Sequence, residues 1–370
     1  MKASTELFDL IKSLDGGEKG YFKKHSFINS KSSSDVNYLL LFDSIEKQNE
    51  YNEKELRLHF RNHAFARQFP VAKTYLYNRI LKALHSYHNS VFEEIRNCLH
   101  YAEILYYKKL YKQSSKALNR AKKLSLQYDL HYYSQEMLAW ESNLAVAKYD
   151  LDWMEKIISE SDQEMLSLQN NQRYTMLSMN MMITINRYGS MQKAFLHKKL
   201  EEIMKNPALG KETSALGFTS KLHFFATHAF YWYAKENYIM AQQFFKRQLD
   251  LFQSNPEKTK LQFNAYMVCI NNLIEMLSQE GTNYKQVPQY LEMLKGEMIH
   301  KRKPSQQALL FYLYNHNLLI YMQRTGQFDM AVALLPDMLH EYEKHSKELN
   351  PFQKTILFIK IAISWFGEEQ

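Results

Sequence analysis

"YWYAKENYIMAQQFF", residues 231–245, sets six aromatic rings in fifteen positions. The polar triplet Lys235-Glu236-Asn237 interrupts them, and Ala241 is a lone small residue beyond the break. Apolar residues at three- and four-residue steps on both sides of a short polar break mark two helices joined by a tight turn. Antiparallel helices nest only where a residue at the crossing is small. Ala241 is therefore predicted at a crossing, with Trp232, Tyr238 and Phe245 filling the space beside it and Lys235-Glu236-Asn237 as the turn.

Outward from this stretch the rhythm repeats. It is strong in 96–130, 218–253, 266–299 and 311–345, and weaker in 136–168 and 174–205. Breaks fall at "KNPALGKET" (205–213), "SNPEK" (254–258), "HKRKPS" (300–305) and "LNPF" (349–352), where Pro and Gly punctuate. Alternating strand patterns of useful length are absent from the sequence. One spacing, aromatic–x–x–small–x–x–x–large–x–x–apolar, occurs at Tyr111-Ser114-Leu118-Ala121, Tyr238-Ala241-Phe245-Gln248 and Phe328-Ala331-Leu335-Met338. Tyr284-Val287-Leu291-Leu294 repeats it with Val287 in the small slot. Nine residues before three of the aromatics stand Ala102, Ala229 and Leu319.

On these residues the chain resembles the tetratricopeptide repeat family, whose unit of about 34 residues is a helix–turn–helix with this signature. The resemblance covers roughly residues 95–345 and is strongest at 222–256, with Pro256 closing the unit a few residues late. It departs from the pattern where Leu319 and Glu275 replace the small residue of the first helix. The resemblance implies an all-α superhelix, a solenoid of about six helical hairpins over residues 91–370 with a C-terminal capping helix. It also implies a concave face built from the first helix of each hairpin, where a partner peptide or helix would lie. By position, Tyr106, Tyr107, Phe230, Tyr233, His316 and Ile320 would look inward, with Arg324 at the edge.

The first ninety residues read differently, as a basic helical N-terminal domain or cap. Short helices are predicted at 4–14, 37–48 and 53–61 and a longer one at 70–89, around a Ser/Lys loop at 27–37. Pro70 suits the first turn of the long helix, and Ala72, Leu76, Ile80, Leu84 and Tyr87 form its apolar stripe. The segment 53–89 could present Lys73, Tyr77 and Lys82 outward in the manner of a helix-turn-helix.

Charge separates this third from the rest. Residues 1–130 hold 22 Lys+Arg against 14 Asp+Glu, whereas residues 131–370 hold 25 of each, so the whole net charge of +8 lies in the first part. Lys112, Lys116, Arg120 and Lys123 step by four, four and three along one helix face, preceded by Lys108 and Lys109. A cationic stripe near rings can grip a nucleic-acid backbone, although the same pattern describes an ordinary solvated helix face.

Little in the sequence suggests chemistry. Gly-x-Ser-x-Gly and phosphate-binding glycine loops are missing, and His59 and His63, one turn apart, lack the glutamate and third ligand of a zinc enzyme. Glu201-Glu202, Glu341/Glu343 and Glu368-Glu369 read as solvated surface charge. Cys98 and Cys269 read as two buried thiols. No cofactor and no metal is expected, and the chain reads as a non-enzyme. The start is too broken by charge for a signal peptide, and no apolar run is long enough for a membrane span, so a cytoplasmic location is expected. Ile359, Ile363 and Phe366 in "FIKIAISWF" (358–366) either cap the last hairpin or form a homodimer contact. The expected function is a protein–protein scaffold holding a polypeptide in the aromatic groove. The alternative is a nucleic-acid-linked transcriptional regulator using the basic first third, with the repeats for sensing or oligomerisation.

Overall fold

In the computed structural model, residues 5–28, 33–88, 90–189, 193–279, 281–300 and 302–366 are described. Among them every regular element is a helix. The chain forms two compact units, Met1–Glu94 and Ile95–Gln370.

The first unit holds α1 (Glu6–Ser13), α2 (Gly16–Ile28), α3 (Ser33–Lys47), α4 (Glu53–His59) and α5 (Phe69–Tyr87). Leu7, Ile11, Phe22, Phe42, Ile45, Leu56, Phe60 and Phe69 close its core with Ala72, Leu76 and Ile80 of the α5 stripe. Tyr87 departs from that stripe: it is 40% exposed, with its ring against Tyr21 at 5.2 Å. The helix α2 was not expected, because "GGEKGYFKKHSFI" carries three glycines. Phe22 is buried against Phe42 at 4.9 Å, and burial of that ring outweighs the poor helix propensity. The expected loop at 27–37 shrinks accordingly, since α3 begins at Ser33, and residues 29–32 lie outside the described part. Lys73 and Tyr77 do not face outward. Lys73 Nζ donates to Glu53 Oε2 at 2.7 Å and to Tyr51 Oη at 3.0 Å, and Tyr77 packs on the core.

The helix α6 (Val91–Tyr107) lies in the second unit from Ile95 onward, followed by α7 (Tyr111–Gln127), α8 (His131–Lys148), α9 (Leu151–Tyr188) and α10 (Lys193–Met204). The unit continues with α11 (Phe218–Ala234), α12 (Tyr238–Gln253), α13 (Pro256–Leu261), α14 (Phe263–Gln279) and α15 (Val287–Met298), then α16 (Pro304–Arg324), α17 (Phe328–His345) and α18 (Pro351–Phe366). Helices pack on their neighbours in chain order, α7 on α8, α8 on α9, α11 on α12 and α16 on α17. The two weaker rhythms at 136–168 and 174–205 are not separated by a break at 168–174. The stretch "SLQNNQRYT" has neither Gly nor Pro to stop a helix, so α9 runs on for 38 residues and packs on α8, α10 and α11.

The crossings follow the small-residue rule. Ala102, Ser114, Ala229, Ala241 and Ala331 are fully buried, as are Leu118, Ala121, Val287, Leu294, Leu319 and Leu335. Ser114 Oγ donates to the Ala102 carbonyl at 2.8 Å, a bond from α7 back to α6 across their crossing.

One turn geometry joins five helix pairs. Lys109, Asp129, Tyr149, Glu236 and Gly326 take left-handed conformations, with φ of 58°, 62°, 55°, 58° and 72°. The amide of each following residue donates back to the carbonyl five residues earlier: Leu110 to Leu105, Leu130 to Ser125, Asp150 to Ala145, Asn237 to Trp232 and Gln327 to Met322. This six-to-one bond is the Schellman closure, which satisfies a carbonyl at the helix end and reverses the chain within two or three residues. Asn237 and Asp150 then cap the next helix through their side chains, accepting from Met240 N and Trp153 N.

Candidate functional site

The helix α6 is lined by a hollow on each of two flanks. Between α6 and α8 lies a cleft of about 360 Å³, lined by Arg96, Leu99, His100, Glu103, Tyr132, Tyr133, Glu136 and Trp140. At the C-terminal end of α6, Tyr106 sits 5.7 Å, ring to ring, from each of Tyr107, Tyr111 and Trp140. Tyr107 stands 6.3 Å from Trp140 and is 72% exposed. The result is an aromatic platform open to water beside a cleft of mixed polarity. Tyr106 and Tyr107 were expected in a groove. Trp140 was not, because it comes from the next helix pair, where the sequence period is weak.

Between α6 and α7 lies a second hollow, about 620 Å³, lined by Cys98, Tyr101, Ile104, Leu105 and Ala117 with Gln113, Lys116 and Arg120. Lys108, Lys109, Lys112, Lys116, Arg120 and Lys123 are all exposed. Lys109 occupies the left-handed position of the α6–α7 turn. Lys122, one residue from the stripe, points elsewhere: its Nζ lies 2.6 Å from Glu160 and 3.0 Å from Glu141. Burial alone would lower the Lys122 pKa, and the two carboxylates raise it instead.

The other expected groove residues lie on α11 and α16 and are partly used in packing. Phe230 meets Phe245 edge-on at 5.6 Å, and Tyr233 packs near Tyr238 at 6.2 Å. His316 stacks on Tyr312 at 5.5 Å with its Nδ1 buried and without a hydrogen bond. Burial, reinforced by nearby Lys360, pushes its pKa down to about 4. Ile320 is half-buried. Arg324 is exposed, and its Nη1 donates to the Ser278 carbonyl at 2.8 Å and to Tyr284 Oη at 3.0 Å. Arg324 thus ties the end of α16 to the end of α14, a local structural task.

A polar junction ties the α7–α8 turn and the start of α8 to α9 and α11. Asp129 accepts from His131 Nε2 at 3.2 Å, from the Thr219 amide at 3.0 Å and from Asn171 Nδ2 at 3.3 Å. His131 Nδ1 meets Glu164 at 2.7 Å. Burial would raise the Asp129 carboxyl, yet the His131 and Thr219 bonds outweigh it and hold the pKa well below the usual carboxylate range. A Cβ on Gly217 would stand 2.8 Å from Asp129 Oδ1, so this approach requires glycine.

His59 is exposed and His63 packs edge-on against Phe60 at 5.2 Å. Among the described residues no group of three or more His, Cys, Asp or Glu side chains is placed to hold a metal ion, and no helix is long and apolar enough to cross a membrane. Cys98 and Cys269 are buried and unbridged. Glu201 and Glu341 pair with Lys235 and Lys344, and Glu368-Glu369 lie outside the described residues. On α18, Leu357 and Ser364 face inward while Ile359 and Ile363 are about half exposed; the Phe366 side chain lies outside the described part.

No protein-family model, curated protein or solved structure matches the chain. What its own geometry defines is an all-α chain of packed neighbouring helices with an open aromatic platform on α6.

Proposed function

We propose that the protein is a non-enzymatic interaction scaffold of the tetratricopeptide kind, whose helix pairs stack as a solenoid and hold a partner polypeptide. The platform of Tyr106, Tyr107 and Trp140, continuing into the α6–α8 cleft, is where the partner lies. That platform is the observation carrying the reading. Large rings with two side-chain torsions lose little entropy on binding and bury much area, which makes exposed Tyr and Trp frequent anchors of interfaces. The buried crossings at Ala102, Ala229, Ala241 and Ala331 support the repeat reading, as does the recurrence of one turn.

A photo-crosslinking residue at position 107, in cells of the native host, tests it. The expected product is one dominant polypeptide adduct, lost when Trp140 is changed to Ser and absent when the crosslinker sits at exposed Ile158. A nucleic-acid adduct, or the same adducts from both positions, would contradict it.

One observation favours a second reading, a nucleic-acid-linked regulator: the exposed lysines of α7. Contact with about four or five phosphates gives a log–log salt slope near −4. Absence of binding to a random duplex or single strand at low salt removes that reading.

A further inference from the structure

The hollow between α6 and α7 differs in chemistry from the platform and does not depend on it. Its floor is carbon: Ile104, Leu105 and Ala117 with the Tyr101 ring, over nearly buried Cys98. Tyr101 and Ile104 are 56% and 39% exposed, so apolar area stands open to water. Along its α7 side run Lys116 and Arg120, with Lys112 and Lys123 on the same exposed helix.

Several lysines elsewhere are held in ion pairs. Lys19, Lys23, Lys73, Lys122, Lys193 and Lys235 each lie within 3.2 Å of a carboxylate. Lys108, Lys109, Lys112, Lys116 and Lys123 form no ion pair among the described residues. The helix α7 reads "YKQSSKALNRAKKLSLQ", with five cations and no carboxylate. Glu103 of α6, the acidic residue nearest in sequence to Tyr101 and Ile104, faces His100 at 3.5 Å. An apolar floor beside the exposed, unpaired Lys112, Lys116 and Lys123 is complementary to one kind of surface: carbon flanked by carboxylates.

We infer that this groove is a docking site for an amphipathic helix of a partner protein, its apolar stripe flanked by Asp and Glu. A helix fits better than an extended strand. Both walls are helices whose backbone groups are already bonded internally, so an entering strand would find no edge to pair with, whereas a helix satisfies its own backbone. The wall from Gln113 to Arg120 spans seven residues, about 10 Å at 1.5 Å per residue, which asks for two to three turns of the partner. Nucleic acid fits the lysines and not the floor: phosphates gain nothing from Ile104, Leu105 and Ala117, and burial of carbon there requires apolar side chains.

The test uses the full chain and a displayed library of helical peptides with randomised surface positions. The expected winners carry an apolar i, i+3, i+4, i+7 stripe flanked by Asp or Glu. Their affinity, read by fluorescence anisotropy, falls roughly tenfold or more in Lys112→Glu/Lys116→Glu and in Ile104→Glu, because like charges and a buried carboxylate then meet the peptide. These positions are exposed or at the surface, and an unchanged circular dichroism melt shows that the variants still fold. Winners without acidic residues, no winners, or affinity indifferent to both variants would overturn the proposal. So would displacement of the winning peptide by a 20-nucleotide single strand or duplex binding more tightly than it does.

Discussion

Between α7 and α9 several of the bonds that cross from helix to helix carry charge, beside the neutral bonds of Gln135 with Ser161 and Ser125 with Ser134. Lys122 joins Glu141 and Glu160, and His131 joins Asp129 and Glu164, beside buried Leu118, Ala121, Met137, Leu138, Leu144 and Ala145. From α11 to α18 the corresponding contacts are carbon: Phe245, Phe252, Ile270, Leu273, Phe311, Leu319 and Leu335 belong to one continuous cluster. Helix pairs joined by the same turn thus differ: α7–α9 adds charged bonds to its buried carbon, whereas α11–α18 relies on one continuous apolar cluster. The difference bears on function, since a region registered by charged bonds can leave its rings at the surface. Tyr132 and Tyr149 there, and Tyr101 and Tyr107 of the preceding α6, are all more than half exposed. In the carbon-held part, Phe230 and His316 are drawn toward packing instead.

The comparison breaks most visibly under truncation. Phe311→Ala should cost about 3–5 kcal/mol, since the ring is nearly fully buried and the cavity has little freedom to collapse. An equilibrium denaturant melt checks it, and a loss near 1 kcal/mol would mean the carbon core is not continuous.

Acid should act on the two parts in opposite directions. His316 is neutral and buried, with a folded pKa of about 4 against about 6.5 unfolded. Its contribution is intact above pH 6.5 and lost as pH falls toward 4, worth about 3 kcal/mol in full. His131 is raised by its bonds to Asp129 and Glu164 despite burial. Its contribution is complete below pH 6.5 and lost as pH rises through the higher folded value. Melts of His316→Phe and His131→Asn against the parent isolate each histidine, because the Glu275 carboxyl beside Lys360 titrates in all of them and cancels. If both variants shift the pH profile in the same direction, the contrast fails.

Breaking the ionic junction costs less. Lys122→Met leaves Glu141 and Glu160 facing each other without their cation, about 2 kcal/mol, below the 3–5 of a fully buried pair because water still reaches the site. Adding Glu141→Leu should restore part of the loss, and a double-mutant cycle reads the coupling. Strict additivity would show that the bonds do not cooperate.

The turns give the smallest effects. Tyr149 holds a left-handed conformation with its side chain 81% exposed, so Tyr149→Gly should stabilise by about 0.5–1 kcal/mol. Gly326→Ala should destabilise by about 1 kcal/mol. Melts of the two variants shifting oppositely confirm that the same geometry serves both parts.

The crossings were legible because each is local. Ala241 beside large neighbours, or Ser114 three residues after Tyr111, announces a close approach within one segment. The α2 helix was hidden by its glycines, and the continuity of α9 by the weak apolar period around the polar residues Asn170 and Asn171. The two hollows were half legible. Tyr106, Tyr107 and the lysine stripe lie on consecutive helices, whereas Trp140 and Tyr132 enter from α8, and the Asp129 junction draws on positions 129, 131, 164, 171 and 219. Side chains that meet across forty or ninety residues leave no period in the sequence.

Amide hydrogen exchange on the full chain, resolved by segment, tests the contrast between ionic and carbon-held helices most directly. The account predicts slowest exchange in α14 and α16, faster exchange in α7 and α8, and a further rise confined to α7–α9 in Lys122→Met. Equal protection throughout, or α7 and α8 outlasting α14 and α16, would contradict it.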